Sequence, residues 1–218
     1  YSLCTVGVSS IAGVISRLRQ RLLDFKVILI FGAPSILGVF IARKYILSAI
    51  PANFSIGSDT ILSKDSFIML FFASLMLVSA LSMILSKSKK EIDVEKAEYG
   101  ASLAFVGLLE GLVTGIVGAG GGFLIIPALV LLGKLSMKKA IASSLFIITI
   151  KSLVGFGGDL LHVNVDWKFL SIIIVLATLG IITGNYLNKT IDGAKLKKGF
   201  GWFVLFMSLV IILEQVFG

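Results

Sequence analysis

The sequence predicts an all-α, polytopic membrane protein, on three observations. Hydrophobic residues make up 57% of the 218 and charged residues only 15%, against about 25% charged in ordinary soluble domains, and the mean hydropathy is +1.04. Stretches almost free of charge, such as 66–86, 169–187 and 200–213, approach the roughly 20 residues that a helix needs to cross the hydrocarbon core. Most Lys, Arg, Asp and Glu fall in the short segments between them. The ~10-residue alternating segments of a transmembrane β-barrel do not occur.

Taken in order, the first apolar span covers 1–16 and stops at Arg17, Arg19 and Arg21. The second, 26–46, follows Asp24, and the third, 66–86, is uncharged throughout. A polar linker, 87–98, carries Lys87, Lys89, Lys90 and Lys96. Then come a broken segment at 99–133 and three further spans at 140–157, 168–187 and 199–216. The net charge of +8 is scattered over loops rather than gathered on one face, so it describes topology and not a nucleic-acid footprint. The single cysteine, Cys4, excludes an intramolecular disulfide and reads as a small packing residue.

The two halves repeat. Residues 2–42 align without a gap with residues 144–184, pairing Ser2 with Ser144, Leu3 with Leu145, Ser10 with Ser152 and Gly13 with Gly155. The same register pairs Asp24, Phe25 and Lys26 with Asp166, Trp167 and Lys168, and Gly38 with Gly180. Gly, Ser-Leu and Asp-aromatic-Lys coinciding in one register indicate an internal duplication. It divides the chain into the remainder of a first repeat (1–86), the linker (87–98) and a second repeat (99–218). The register further predicts that first-copy counterparts of about 99–142, with their own Gly-broken hairpin, precede Tyr1.

Cytoplasmic loops attract Lys and Arg, which predicts loops 17–25, 87–98, 134–139 and 188–198 on the cytoplasmic side if 99–133 is a hairpin returning to its starting side. Arg17, Arg19 and Arg21 in one copy stand opposite Asp159, Leu161 and Val163 in the other. Equivalent loops therefore differ in basicity, which predicts copies inverted in the membrane, the arrangement of many secondary transporters.

The chemistry concentrates in Gly107–Pro127. Gly107, Gly111 and Gly115 form a smooth helix stripe for close packing. The Gly118, Gly120, Gly121 and Gly122 cluster should break the helix inside the membrane, where freed backbone groups survive only in protein or facing a cavity. A half-helix starting near Phe123 would aim free N–H groups and a positive dipole end into that cavity, which suits an anion. Two charges interrupt the apolar pattern, Glu110 and Lys151. An ionised side chain there costs about 2.5–3.5 kcal/mol on insertion scales and therefore faces a partner or water. They are expected to pair, with Lys151 attracting an oxyanion and Glu110 as its resting partner or a proton carrier; the plain alternatives are a structural ion pair or a snorkelling lysine. Ser143 and Ser144 either donate to the anion or cap their helix. His162, the only histidine, lies near Asp159 and Asp166, too few ligands for a metal site.

The run Gly118 to Pro127, followed by Lys139-Ala140, Ser143-Ser144-Leu145 and Asp166-Trp167-Lys168, resembles the second-half signature of the sulfite exporter TauE/SafE family. Ser2-Leu3 and Asp24-Phe25-Lys26 resemble parts of its first half. The resemblance spans nearly the whole chain. It implies a permease of the cell inner membrane for sulfite, organosulfonates or related anions, coupled to protons or Na+, with no cofactor and no nucleic-acid partner. The enzyme reading finds no Gly-x-Ser-x-Gly elbow, no His-Glu-x-x-His and no phosphate loop. A passive anion channel uses the same half-helix dipoles, and a scaffold subunit would bind no substrate; the inverted copies favour a transporter.

Overall fold

A computed structural model describes residues 1–46, 53–56, 60–85, 101–117, 122–159 and 166–217. Its helices are α1 (Ser2–Arg19), α2 (Phe25–Ile41, continued by a π turn at Ala42–Ile46), α3 (Lys64–Leu85), α4 (Ala101–Val117), α5 (Gly122–Leu131), α6 (Met137–Asp159), α7 (Trp167–Thr190) and α8 (Gly193–Phe217). Among the described residues, five helical stretches are long and apolar enough to cross a bilayer: Phe25–Ile46, Lys64–Leu85, Met137–Gly157, Trp167–Asn188 and Gly193–Gln215. The all-α, multi-pass architecture read from composition is the one observed. One element lies outside that reading, a short antiparallel pair of β1 (Asn53–Ile56) and β2 (Thr60–Ser63), in register Asn53 with Ser63 and Ile56 with Thr60. The intervening Gly57-Ser58-Asp59 are turn-forming residue types.

The first expected span extends to Arg19, past its expected end at 16. α1 is too polar to rank with the five lipid-crossing helices, because it carries Ser2, Ser9, Ser10, Ser16, Arg17 and Arg19. Its polar face turns inward, with Ser9, Ser10 and Arg17 all buried against α6 and α7. The linker 87–98 and most of the Gly-rich cluster, Gly118, Gly120 and Gly121, lie outside the described residues, as does His162.

Both Asp-aromatic-Lys motifs perform the same local task. Asp24 caps α2, accepting from the Val27 amide at 3.1 Å. Asp166 caps α7, accepting from the amides of Lys168 at 3.0 Å and Phe169 at 3.1 Å. Each carboxylate satisfies donors that have no acceptor in the first turn.

Two apolar clusters hold the bundle. One joins Val27, Ile28 and Phe31 of α2, Leu103 of α4, Ile125 and Leu129 of α5, and Ala140, Ile147 and Ile148 of α6. The other joins Phe72, Met76 and Ala80 of α3 to Leu124 of α5 and Val204 of α8. The short α5 belongs to both and sits between them.

α1 and α6 cross antiparallel in a reciprocal way. A methyl group added at Gly13 would lie 3.0 Å from Leu145 Cδ1, and one at Gly155 would lie 3.3 Å from Leu3 Cδ1. In the register predicted from the sequence these would be one contact written twice, since Leu3 matches Leu145 and Gly13 matches Gly155. The same correspondence explains an orphan. Ser10 Oγ shares a 2.8 Å hydrogen bond with Thr149 Oγ1, but the residue matching Thr149 is Gly7, so Ser152 is left without a hydroxyl opposite. Its Oγ is buried and has no partner among the described residues.

Candidate functional site

The site starts from the glycine stripe of α4. A Cβ at Gly107 would fall on the carbonyl oxygen of Phe31, and one at Gly111 on the carbonyl oxygen of Ser35. One at Gly115 would lie 2.9 Å from Val39 Cα. From the other side, a Cβ at Gly38 would sit 2.5 Å from the Leu108 carbonyl oxygen. The backbones of α2 and α4 thus touch, as small residues permit in membranes. This contact brings Ser35 against Glu110, whose carboxylate accepts from the Ser35 hydroxyl.

α6 supplies the cation. Lys151 Nζ lies 3.1 Å from both Glu110 Oε1 and Oε2, 2.9 Å from Ser35 Oγ and 3.0 Å from Thr114 Oγ1. The two charged side chains are each 4% exposed. The expected pairing of Glu110 with Lys151 is therefore observed, and it ties α2, α4 and α6 together. Ser35 and Thr114 are partners that the sequence reading missed; the available signal was their position beside the two small-residue stripes.

α5 completes the surroundings. It has 10 residues, about 15 Å at 1.5 Å per residue, half of a ~30 Å hydrocarbon core. A Cβ at Gly122, its first residue, would lie 3.0 Å from Ile148 Cδ1, and Lys151 is one turn further along α6. The amides of the first turn of α5 have no acceptor within the helix, and Pro127 inside it leaves the Phe123 carbonyl without its usual donor. Ser143 is fully buried two turns before Lys151, with a hydroxyl that has no partner among the described residues. Ser144 donates to the Ile141 carbonyl at 3.0 Å, within its own helix.

A second buried cation was not anticipated. Arg17, expected in a loop, lies inside α1 and is 3% exposed. With the Asn188 amide turned so that its oxygen faces the guanidinium, that oxygen accepts from Arg17 Nη1 at 3.2 Å and from Nη2. Arg17 Nε has no partner among the described residues.

Lipid-length helices closed around an ammonium–carboxylate pair, with a half-membrane helix opening beside it, define a multi-pass membrane protein of the transporter class. The chain belongs to the sulfite exporter TauE/SafE family, whose sequence profile matches residues 1–211. It is 26% identical over 229 aligned positions to the probable membrane transporter protein YunE of Bacillus subtilis, covering 97% of this chain and 76% of that protein. A probable membrane transporter protein of Methanocaldococcus jannaschii is 31% identical over 109 residues, covering 47% of this chain and 41% of its own length. One of Xylella fastidiosa is 32% identical over 109 residues, covering 49% and 42%. No solved structure matches the chain.

Proposed function

We propose that the protein moves small sulfur-containing anions, such as sulfite, organosulfonates and related oxyanions, across the cell inner membrane by alternating access. The observation that carries this reading is the buried Lys151 ammonium one helical turn from the point where half-helix α5 begins. The ammonium and the acceptor-less first-turn amides of the nearby half-helix would both favour an anion that takes the carboxylate's place. Gly118, Gly120, Gly121 and Gly122 would present backbone to it and Lys151 its charge. Glu110 holds Lys151 in the empty site, Pro127 leaves the Phe123 carbonyl of the half-helix free, and Ser143 and Ser144 stand about two turns before Lys151 in α6, where a hydroxyl would donate to the anion. The sulfur chemistry of the substrate is taken from the family.

The reciprocal α1–α6 contacts and the twin Asp caps support an inverted duplication, with 1–86 and 99–218 as its two copies. Loops 17–25, 87–98, 134–139 and 188–198 would then face the cytoplasm. Reconstitution of the full-length polypeptide in liposomes tests the proposal, following sulfite, sulfate and a small organosulfonate with and without an imposed ion gradient. Saturable, gradient-driven flux of a sulfur anion is expected; fast leak independent of any gradient would make this a channel, and no flux would sink the transport reading.

A further inference from the structure

We infer that Glu110 is the proton carrier of the transport cycle and that it fixes the charge of the cargo: one proton enters with each monovalent anion that replaces the Glu110 carboxylate on Lys151. The inference rests on the transport reading above and adds its coupling ion and charge selectivity.

Lys151 has three N–H donors, and they are shared among Ser35 Oγ, Thr114 Oγ1 and both oxygens of Glu110, all within 3.1 Å. The empty site is therefore saturated and carries no net charge. An anion finds attraction there only by taking the carboxylate's place. Displaced and still ionised, the carboxylate would be an unpaired buried charge, its side chain being 4% exposed, and that is what such interiors tolerate least.

Protonation removes that obstacle, and the site already holds the means. Ser35 now donates to Glu110 Oε2 and accepts from Lys151. A hydroxyl can reverse its direction, so Ser35 can accept from the protonated acid without backbone movement. The exchange balances: a carboxylate and an ammonium, plus a monoanion and a proton, become a carboxylic acid and an ammonium–anion pair. A new O–H bond forms on Glu110 and no electrons are transferred. The site is neutral before and after. A dianion in the same place would leave one negative charge stranded beside buried Phe31, Ile147 and Ile148.

The surrounding elements supply no other counter-charge to Glu110 among the described residues. α2 carries Lys26 at its start, the π turn carries Arg43 and Lys44, and α6 carries Lys138 and Lys139 in its first turn. Arg43 lies against Gly155, a turn beyond Lys151. α3 carries Lys64 and Asp65 in its first turn, and α5 carries no charge.

The test uses full-length protein in liposomes loaded with a pH dye, with methanesulfonate as probe. The expected result is one proton entering per methanesulfonate, no response of uptake to a potassium–valinomycin potential, and competition by sulfate weaker on the order of 100-fold. In Glu110→Gln, whatever methanesulfonate flux remains carries no proton. Saturable methanesulfonate flux without a co-moving proton, flux driven by Na+ instead, or equal handling of sulfate overturns the inference alone. Should no anion be carried at all, the transport reading falls and this inference with it.

Discussion

Lys151 shares its charge with one carboxylate and two hydroxyls, and each contact comes from a different place on α2 or α4. Replacing it with Met keeps the length of the stem and removes the ammonium. Anion affinity, read as the concentration dependence of flux or of thermal stabilisation, should drop by at least about 10-fold if the proposed site holds the anion, because loss of a charged hydrogen-bond partner is worth about 1.5–3 kcal/mol. Unchanged affinity would reduce Lys151 to a structural role. Arg17 offers a separate check. Asn188→Asp would put a carboxylate against a guanidinium whose partner, among the described residues, is an amide, and charge-assisted bonds are stronger, so the melting temperature in detergent should rise; a fall would mean that Arg17 is already served by another acceptor. The Glu110–Lys151 pair was legible because charged letters stand out in apolar spans. Ser35 and Thr114 were not, since hydroxyls among apolar residues more often bond their own helix, as Ser144 and Thr149 do. Arg17 was misplaced because arginine ordinarily marks a span's end.

At the scale of elements, the α2–α4 contact depends on absent side chains. Gly111→Ala would place a methyl group on the Ser35 carbonyl and push the helices apart. Overpacking of this kind costs about 1–3 kcal/mol, or roughly 2–12 °C in melting temperature at about 2–4 °C per kcal/mol. The same change at Gly184, which has nothing within 4 Å, should leave the melting temperature unmoved; equal effects at both positions would refute the packing argument. The helix break expected at the Gly-rich cluster falls, but for Gly122, outside the described residues, with described helices ending at Val117 and starting at Gly122. The β1–β2 hairpin was not legible in the sequence, because four-residue strands give too short a pattern to separate from a loop.

Across the whole molecule, the reciprocal packing of α1 on α6 makes a prediction that no single helix could. In a Cys4→Ala background, the pairs Leu3→Cys with Gly155→Cys and Gly13→Cys with Leu145→Cys should both cross-link within one chain, detected by mass spectrometry of the digested protein. Leu3→Cys with Leu145→Cys should not, because their contacts lie ten residues apart along α1, about 15 Å. Cross-linking of the third pair but not the first two would overturn the antiparallel arrangement. In the register that relates the copies, Ser9 stands where Lys151 stands and Ala177 where Ser35 stands. In that register the place of the Lys151 ammonium is held by Ser9, which is buried and brings no charge. For a carrier that rocks between two faces, the ion pair would then be a latch fitted to one side of a two-way door. On the proposed exchange, the unloaded molecule would idle shut against the latch, and the cargo, arriving with its proton, would lift the catch.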